Sequence, residues 1–562
     1  MKKQLIALII ILLLAAFLRF YRLGEVPAGF HRDEAFLGYN AYSILQTAKD
    51  ISGNFLPIHL QSFIYSPAGY SYFSIPFIKI FDLNTFSVRF PSALFGTLTV
   101  LLTYFLSKRL FPQLNTKYHI LATLLLAISP WHINLSRVAT ENTIVVFFIA
   151  LGVLFYLLWL EKEKLGWIIL SFLSFGITLT IYQAPRAFLP LFIPFMVMVL
   201  YHKRLWGKKL LMIGGLFLMT IIIPLFLILR SPEISLRLRT VSIFYTPETQ
   251  LVLDEQSRED GVLGVGARES RFFHNKIIGY SQQFLKNYFS HFTYNFLFTD
   301  AGLPIRYKVP GAGLLYFFEL PFILLGIWFL LKNYFKTGIF LAGWVFLTFI
   351  GAALTFDDVP NLQRTLIVFP ALSIISGSGF YIILSNINKI RIIFFRFLIV
   401  ILTFAFCLLN LVYYLHQYYI HQLNHQPWYR HEGYGDLVKN VNQFLPKFKK
   451  VIITDSESAP TVFFLFFGKY DPARFQKETA KLVNKRDLDR VNFNQYQFTD
   501  KACPLRETLV KDLTGQILKV IVEGEKKVLY VNRGDCDSLV KAKELKVVNR
   551  GDRTAVFRIM IP

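Results

Sequence analysis

The chain reads as a polytopic α-helical membrane protein of about eleven transmembrane helices, followed by a small C-terminal α/β domain. Three observations carry this reading. Of the 562 residues, 54% are hydrophobic and 17% aromatic. Apolar runs close to the ~20 residues needed to cross ~30 Å of hydrocarbon recur through the first three quarters of the sequence. After about residue 416 the composition turns to that of a water-soluble domain.

The first apolar run, 4–20, follows Lys2-Lys3 and has the outline of a signal peptide, but no small-residue cleavage site follows it and further runs come soon after. It is expected to be a retained transmembrane helix. Further spans are expected at 89–107, 119–135, 143–160, 165–182, 187–201, 210–229, 312–331, 337–355, 365–384 and 393–415. These make up a membrane domain of residues 1–420 with two long loops, 21–88 and 230–311. In the first loop Gly53, Pro57, Pro67, Gly69 and Pro76 leave pieces too short to span, and the aromatic stretch from Phe63 to Phe81 suits helices lying at the membrane interface. The second loop repeats the arrangement, with a polar stretch from Thr246 to Gly266 before an amphipathic one from Arg271 to Phe298. In the tail domain, residues 427–562, strands are expected at 451–455, 527–532, 545–549 and 554–561, and helices at 434–445 and 473–486. No nucleotide-binding glycine motif, zinc-type cysteine pair or internal repeat is evident.

Charge sets the expected orientation. With the N-terminus cytoplasmic, the inner loops collect Lys108, Arg109, Lys117, Lys162, Lys164, Lys203, Arg204, Lys208, Lys209, Lys332, Lys336, Lys389 and Arg391. That is the positive-inside pattern, and an error of one helix would invert every later loop. The two long loops and the tail domain then face outward from the plasma membrane. The formal net charge of +24 would suggest nucleic acid in a soluble protein, but much of it sits in anchoring loops. From residue 427 on, 25 Lys and Arg face 17 Asp and Glu, an excess of eight that a solvated surface near anionic lipid accounts for. No nucleic-acid partner is expected. Cys503 and Cys536 share the outward domain, where an oxidising exterior permits pairing, while Cys407 lies in the last span.

The residues with chemistry to offer lie on the expected outer side. His31-Arg32-Asp33-Glu34 places two adjacent carboxylates a few residues after the first apolar run. Carboxylates are costly beside a membrane and mark a functional site by default. Arg89, Arg137, Arg186 and Arg364 stand at outward helix ends, against the depletion of cations there. A guanidinium is permanently charged and can bind phosphate bidentately, so a lipid phosphate is the natural partner. Each residue also has a plainer reading. The arginines can snorkel to headgroups. Arg137 and Glu141 can form an i,i+4 helix pair. Asp33-Glu34 can cap a helix starting near Ala35, where acids favour the dipole. Asp357-Asp358 is a second acidic doublet, either a solvated turn or ligands for a divalent cation. His31, His132 and His291 are individually weak signals.

The run His31-Arg32-Asp33-Glu34-Ala35-Phe36-Leu37-Gly38-Tyr39-Asn40-Ala41-Tyr42, with Arg89-Phe90-Pro91-Ser92 and Ser129-Pro130-Trp131-His132 followed by Ser136-Arg137 and Glu141, resembles bacterial members of the protein O-mannosyltransferase and aminoarabinose-transferase-like group. The resemblance covers about residues 1–420. It implies an integral-membrane glycosyltransferase of the type C fold that moves a sugar from a polyprenyl-phosphate carrier to an acceptor on the outer face. It puts the general base on Asp33 with Glu34 beside it. The donor phosphate falls to Arg89 and, less directly, to Arg137, Arg186 and Arg364. His31, Tyr39, Glu141 and Tyr182 are the expected supporting residues. The sugar-binding-like repeat domain of eukaryotic protein mannosyltransferases has no counterpart here. The acceptor stays open among a protein, a glycolipid and a cell-envelope glycan, and the resemblance implies no cofactor, a divalent cation being only the second reading of Asp357-Asp358.

Two other classes compete. A transporter or flippase of lipid-linked intermediates places charge near the bilayer midplane and is built in repeated halves, whereas here the charges gather at one face. A non-catalytic scaffold would depend on its tail domain and not on Asp33.

Overall fold

The computed structural model describes residues 2–61, 66–201, 207–230, 239–387, 392–482, 488, 490–511 and 517–562. Phe63, the loop cations Lys203, Arg204, Lys389 and Arg391, and the end of the helix expected at 473–486 lie outside them.

A helix stands at each of the eleven apolar stretches: Lys2–Phe20, Thr85–Leu110, Thr116–Ile128, Glu141–Lys162, Leu165–Thr178, Ala184–Leu200, Lys208–Leu229, Glu319–Asn333, Phe335–Ala353, Ala371–Ile387 and Ile393–His416. Among the described residues, six helices are long and apolar enough to cross a membrane, and Thr116–Ile128, Leu165–Thr178, Ala184–Leu200 and Ala371–Ile387 are shorter apolar helices. Local chemistry explains the shortening. The stretch expected at 119–135 breaks at Ser129-Pro130, where the Ser129 hydroxyl accepts the His132 N–H and Pro130 opens a second short helix, Pro130–Leu135. The stretch expected at 365–384 opens on a 3-10 turn, Leu366–Val368, and becomes α-helical only at Ala371, just past Pro370.

The chain divides into two compact units, residues 1–21 with 92–417 and residues 22–91 with 418–562. The first is helical. Its core gathers Ile11, Val100, Leu126, Trp131, Leu135, Phe296, Phe349 and Leu366, all nearly free of solvent, and the Trp131 indole donates to the Leu362 carbonyl at 2.7 Å. Helices Glu319–Asn333 and Ala371–Ile387 touch backbone to backbone. A methyl group at Gly379 would lie 1.9 Å from the Phe322 carbonyl oxygen, so only glycine admits that approach.

The second unit is mixed. Two residue pairs in the first loop, β1 (His59–Leu60) and β2 (Ser66–Pro67), form a short antiparallel ladder. The tail supplies β3 (Lys450–Thr454), β4 (Tyr496–Thr499), β5 (Arg506–Lys511), β6 (Ile517–Glu523), β7 (Val528–Arg533), β8 (Lys543–Asn549) and β9 (Ala555–Ile561). Five of them make one sheet in the order β4-β3-β7-β9-β8, with β3 parallel to both neighbours and the last two pairings antiparallel. β5 and β6 form a separate hairpin. The four expected strands are present within two residues of their expected ends. β4 and the hairpin were not expected, nor was the helix Thr461–Phe467, whose run TVFFLFF carries no periodicity because nearly every side chain is buried. Cys503 and Cys536 are joined by a disulfide.

The first-loop helix Arg32–Thr47 packs in this unit against Gly69–Phe81, Thr461–Phe467 and Pro472–Thr479. Gly38 makes the approach possible, since a methyl group there would meet Val88 Cγ2 at 2.5 Å and the Phe466 ring at 2.9 Å.

Candidate active site

The helix Arg32–Thr47 begins three residues earlier than the Ala35 start expected, so both acids fall in its first turn, where their charge favours the dipole. Its N-cap is a histidine. His31 Nδ1 accepts the Asp33 N–H at 3.2 Å and lies 3.3 Å from Asp33 Oδ2. The next cap comes from far along the chain: His431 Nδ1 accepts the Arg32 N–H at 3.4 Å, and the two imidazole rings lie tilted against each other with centroids 4.6 Å apart. Two of the four N–H groups that every helix start leaves open are thus taken by imidazoles.

Asp33 and Glu34 part company here. Glu34 is 3% exposed. Its two oxygens receive the Arg89 Nε at 3.0 Å and Nη2 at 2.8 Å, a bidentate pair. Arg89, 1% exposed, also donates from Nη1 to the Leu23 and Pro27 carbonyls at 3.3 and 3.0 Å, and from Nη2 to the Gly29 carbonyl at 2.8 Å. All five of its N–H groups are spent on protein acceptors. The donor phosphate expected at Arg89 would have to displace these bonds. The sequence could not show this, because carbonyl partners carry no side-chain signature. The Asp33 side chain keeps 29% of its surface exposed, and it is the accessible carboxylate of the doublet.

The turn leading into this helix is held from a second direction. Arg430, 5% exposed, donates Nε to the Ala28 carbonyl at 2.7 Å and Nη2 to the Gln422 carbonyl. Burial pushes its guanidinium down to about 10, which leaves it charged at neutral pH. Gly29 adopts φ +77°, and a methyl group there would sit 2.7 Å from the Arg430 carbonyl oxygen. Tyr39, an expected supporting residue, is buried and donates its hydroxyl to the Tyr470 carbonyl at 2.8 Å. Sequence reading missed Arg430 and His431 altogether. The only trace was the run Pro427-Trp428-Tyr429-Arg430-His431-Glu432, unusually rich in aromatic and charged residues.

The remaining expected site residues belong to the helical unit. Arg137 is fully buried and donates to the Leu18 and Tyr21 carbonyls at 2.9 and 2.6 Å. It stands outside the helix that Glu141 opens, so the spacing of four does not place the two on one helix face. Glu141 accepts the Gln363 amide at 3.5 Å. Tyr182 lies in the turn before helix Ala184–Leu200, and Arg186 in that helix's first turn donates Nε and Nη2 to the Leu179 carbonyl at 3.4 and 3.2 Å. Arg364 ties down its own loop: it reaches Thr355 Oγ1 at 2.6 Å, the Asp357 carbonyl at 2.8 Å and Asp357 Oδ1 at 3.0 Å. Asp357 is therefore turned to an arginine. Among the described residues, no three His, Cys, Asp or Glu side chains gather as a metal site. A further cation unread from sequence, Arg19, is fully buried and donates to the Ala15, Leu126 and Ala127 carbonyls and to His132 Nδ1 at 2.9 Å.

Comparison with known proteins bears on the same chain. Residues 66–228 match the family model described as dolichyl-phosphate-mannose-protein mannosyltransferase; Asp33 and Glu34 precede that stretch. An uncharacterized protein of Aquifex aeolicus is 33% identical over 177 residues, which is 30% of this chain and 32% of the relative. The putative mannosyltransferase YycA of Bacillus subtilis is 29% identical over 228 residues, 39% of this chain and 30% of the relative. The chain thus spans about a third of the length of these curated relatives. Among solved structures, ArnT from Cupriavidus metallidurans bound to undecaprenyl phosphate superposes with a TM-score of 0.52 at 14% identity, covering 98% of this chain and 97% of that one. The apo ArnT structure gives 0.52 at 12% identity over 99% and 98%. At such identities the likeness is one of fold, the type C glycosyltransferase fold with apolar helices and a C-terminal sheet domain. Residues 66–228 are thus similar to a mannosyltransferase family model, within a membrane protein that has the fold of ArnT.

Proposed function

We propose that the protein is an integral-membrane glycosyltransferase that moves a sugar from a polyprenyl-phosphate carrier to an acceptor on the outer face of the membrane, with Asp33 as general base. The observation that carries this reading is the division of the carboxylate doublet: Glu34 is locked on Arg89, while Asp33 stays accessible at a rigidly capped helix start. In the reaction, the Asp33 carboxylate takes the proton from an acceptor hydroxyl or amine as that oxygen or nitrogen bonds to the anomeric carbon. The bond from that carbon to the phosphate oxygen breaks, and the electron pair leaves with the polyprenyl phosphate. Direct displacement inverts the anomeric centre.

Cationic groups stabilise the charge of the departing phosphate. We assign that task to Arg186 and Arg364, which are partly exposed, and give the buried arginines a holding task, Arg89 on Glu34 and the 23–29 turn and Arg137 on the Leu18 and Tyr21 carbonyls. The positive-inside pattern supports a cytoplasmic N-terminus, eleven spans and a tail domain outside. Mannose is the first donor sugar to test, after the name of the matching family, and undecaprenyl phosphate the first carrier, after the ligand in the ArnT structure. The acceptor is a protein, a glycolipid or a cell-envelope glycan.

The test compares glycolipid and glycoprotein profiles of cells deleted for the chain and complemented with wild type or with Asp33→Asn. The expected result is one glycoform that is missing from the deletion and from Asp33→Asn at equal protein level. A wild-type profile in Asp33→Asn cells removes Asp33 from the role of base, and a deletion that changes no glycoform removes the transferase reading.

A further inference from the structure

We infer that His431 is a positioning residue for Asp33, contributed by the tail segment to the start of the first-loop helix. The inference rests on the reading of Asp33 as general base. Three contacts carry it. His431 Nδ1 accepts the Arg32 N–H at 3.4 Å, the residue directly before Asp33. Its ring lies against the His31 ring, centroids 4.6 Å apart, and His31 itself accepts the Asp33 N–H and stands 3.3 Å from an Asp33 oxygen. The His431 ring also meets Phe463, centroids 5.6 Å apart, in the helix Thr461–Phe467.

The two imidazoles therefore act as one cap. His31 fixes the amide of Asp33, His431 fixes the amide before it, and each ring limits the other's rotation. Their local setting is built for the purpose. His431 follows the turn Pro427–Arg430 in the left-handed region, φ 50°, a conformation uncommon for residues with a side chain. The preceding residue, Arg430, holds the Ala28 carbonyl, so the 28–32 backbone and the 430–431 backbone are joined at both ends of the contact. A free helix start frays, and a carboxylate at its second residue would sample positions away from an acceptor. A misplacement on the order of 1 Å can cost about a hundredfold in rate.

The experiment uses the full-length protein in cells and, purified, in lipid. His431→Phe keeps a ring against His31 and Phe463 but loses the acceptor. His431→Gly loses both, with no backbone penalty at φ 50°. His431→Asn keeps a short acceptor and tolerates the left-handed backbone. The readouts are the rate at which the glycoform missing from Asp33→Asn cells appears after induction, and amide hydrogen exchange over residues 28–36. The expected result is a fall of about ten- to a hundredfold in rate for His431→Phe and His431→Gly, faster exchange in that segment, and substantial recovery of both in His431→Asn. If His431→Phe does not fold, the pair His431→Gly and His431→Asn decides. Wild-type rate in His431→Gly, or unchanged exchange over 28–36, overturns the inference while the base assignment stands. Full activity in Asp33→Asn overturns the base assignment and this inference with it.

Discussion

The mixed unit and the helical unit each pair an acid with an arginine near a chain turn, and they do so differently. In the mixed unit, Glu34 and Arg89 are almost wholly buried and meet through two parallel bonds. In the helical unit, Asp357 and Arg364 keep 32% and 16% of their side chains exposed, and the carboxylate takes a single bond from the guanidinium. The first pair sits in low dielectric, where neither charge can fall back on water, so its members depend on each other. The second can trade its partner for solvent. The contrast separates a fixed frame from an adjustable loop.

Breaking the buried pair should have the largest effect on stability. Arg89→Met leaves the Glu34 carboxylate buried without its partner and frees the 23–29 turn. It should cost about 3–5 kcal/mol, read as a large fall in the thermal midpoint of the purified protein. The double variant Glu34→Leu with Arg89→Met should recover part of that loss. A midpoint unchanged in Arg89→Met would contradict the frame.

The units should also differ toward reductant. The mixed unit carries Cys503–Cys536, closing a loop of sequence separation 33, whereas Cys407, the free cysteine among the described residues, belongs to the helical unit. Breaking the disulfide should cost about 2–4 kcal/mol. Hydrogen exchange should rise in the tail strands and stay level in the helical unit. The smallest effect is expected at Arg364→Met. Its partly solvated pair should contribute about 1 kcal/mol or less, so the midpoint should scarcely move. A fall as large as that of Arg89→Met would erase the contrast between the two regions.

The same contrast explains what could be read from the sequence. Apolar runs marked the eleven apolar helices, because burial in lipid or core leaves a continuous signature, whereas the polar helix Pro247–Val262 and the short Pro130–Leu135 carried none of their own. Four strands of the tail, β3, β7, β8 and β9, showed through their composition and the turn at Arg550-Gly551, while β4, β5 and β6 did not. Asp33 and Glu34 stood out as a doublet, and capping was among their readings. What could not be seen is which acid Arg89 holds. Glu34 and Arg89 are 55 residues apart, and Arg32 and His431 nearly 400, and contacts at such separations leave no periodic trace. Arg137 and Glu141 show the converse failure, since a spacing of four means a shared helix face only where one helix runs through both residues.

Asp33→Asn and Glu34→Gln, compared in the full-length protein for thermal midpoint and for the glycoform that the deletion lacks, test the central claim most directly. Asp33→Asn is expected to keep the midpoint and lose about a hundredfold or more of the transfer, while Glu34→Gln, which strips the buried Arg89 of its countercharge, is expected to lower the midpoint. An active Asp33→Asn, or a Glu34→Gln that keeps its midpoint and loses transfer, would contradict the division of the doublet into a working base and a structural anchor.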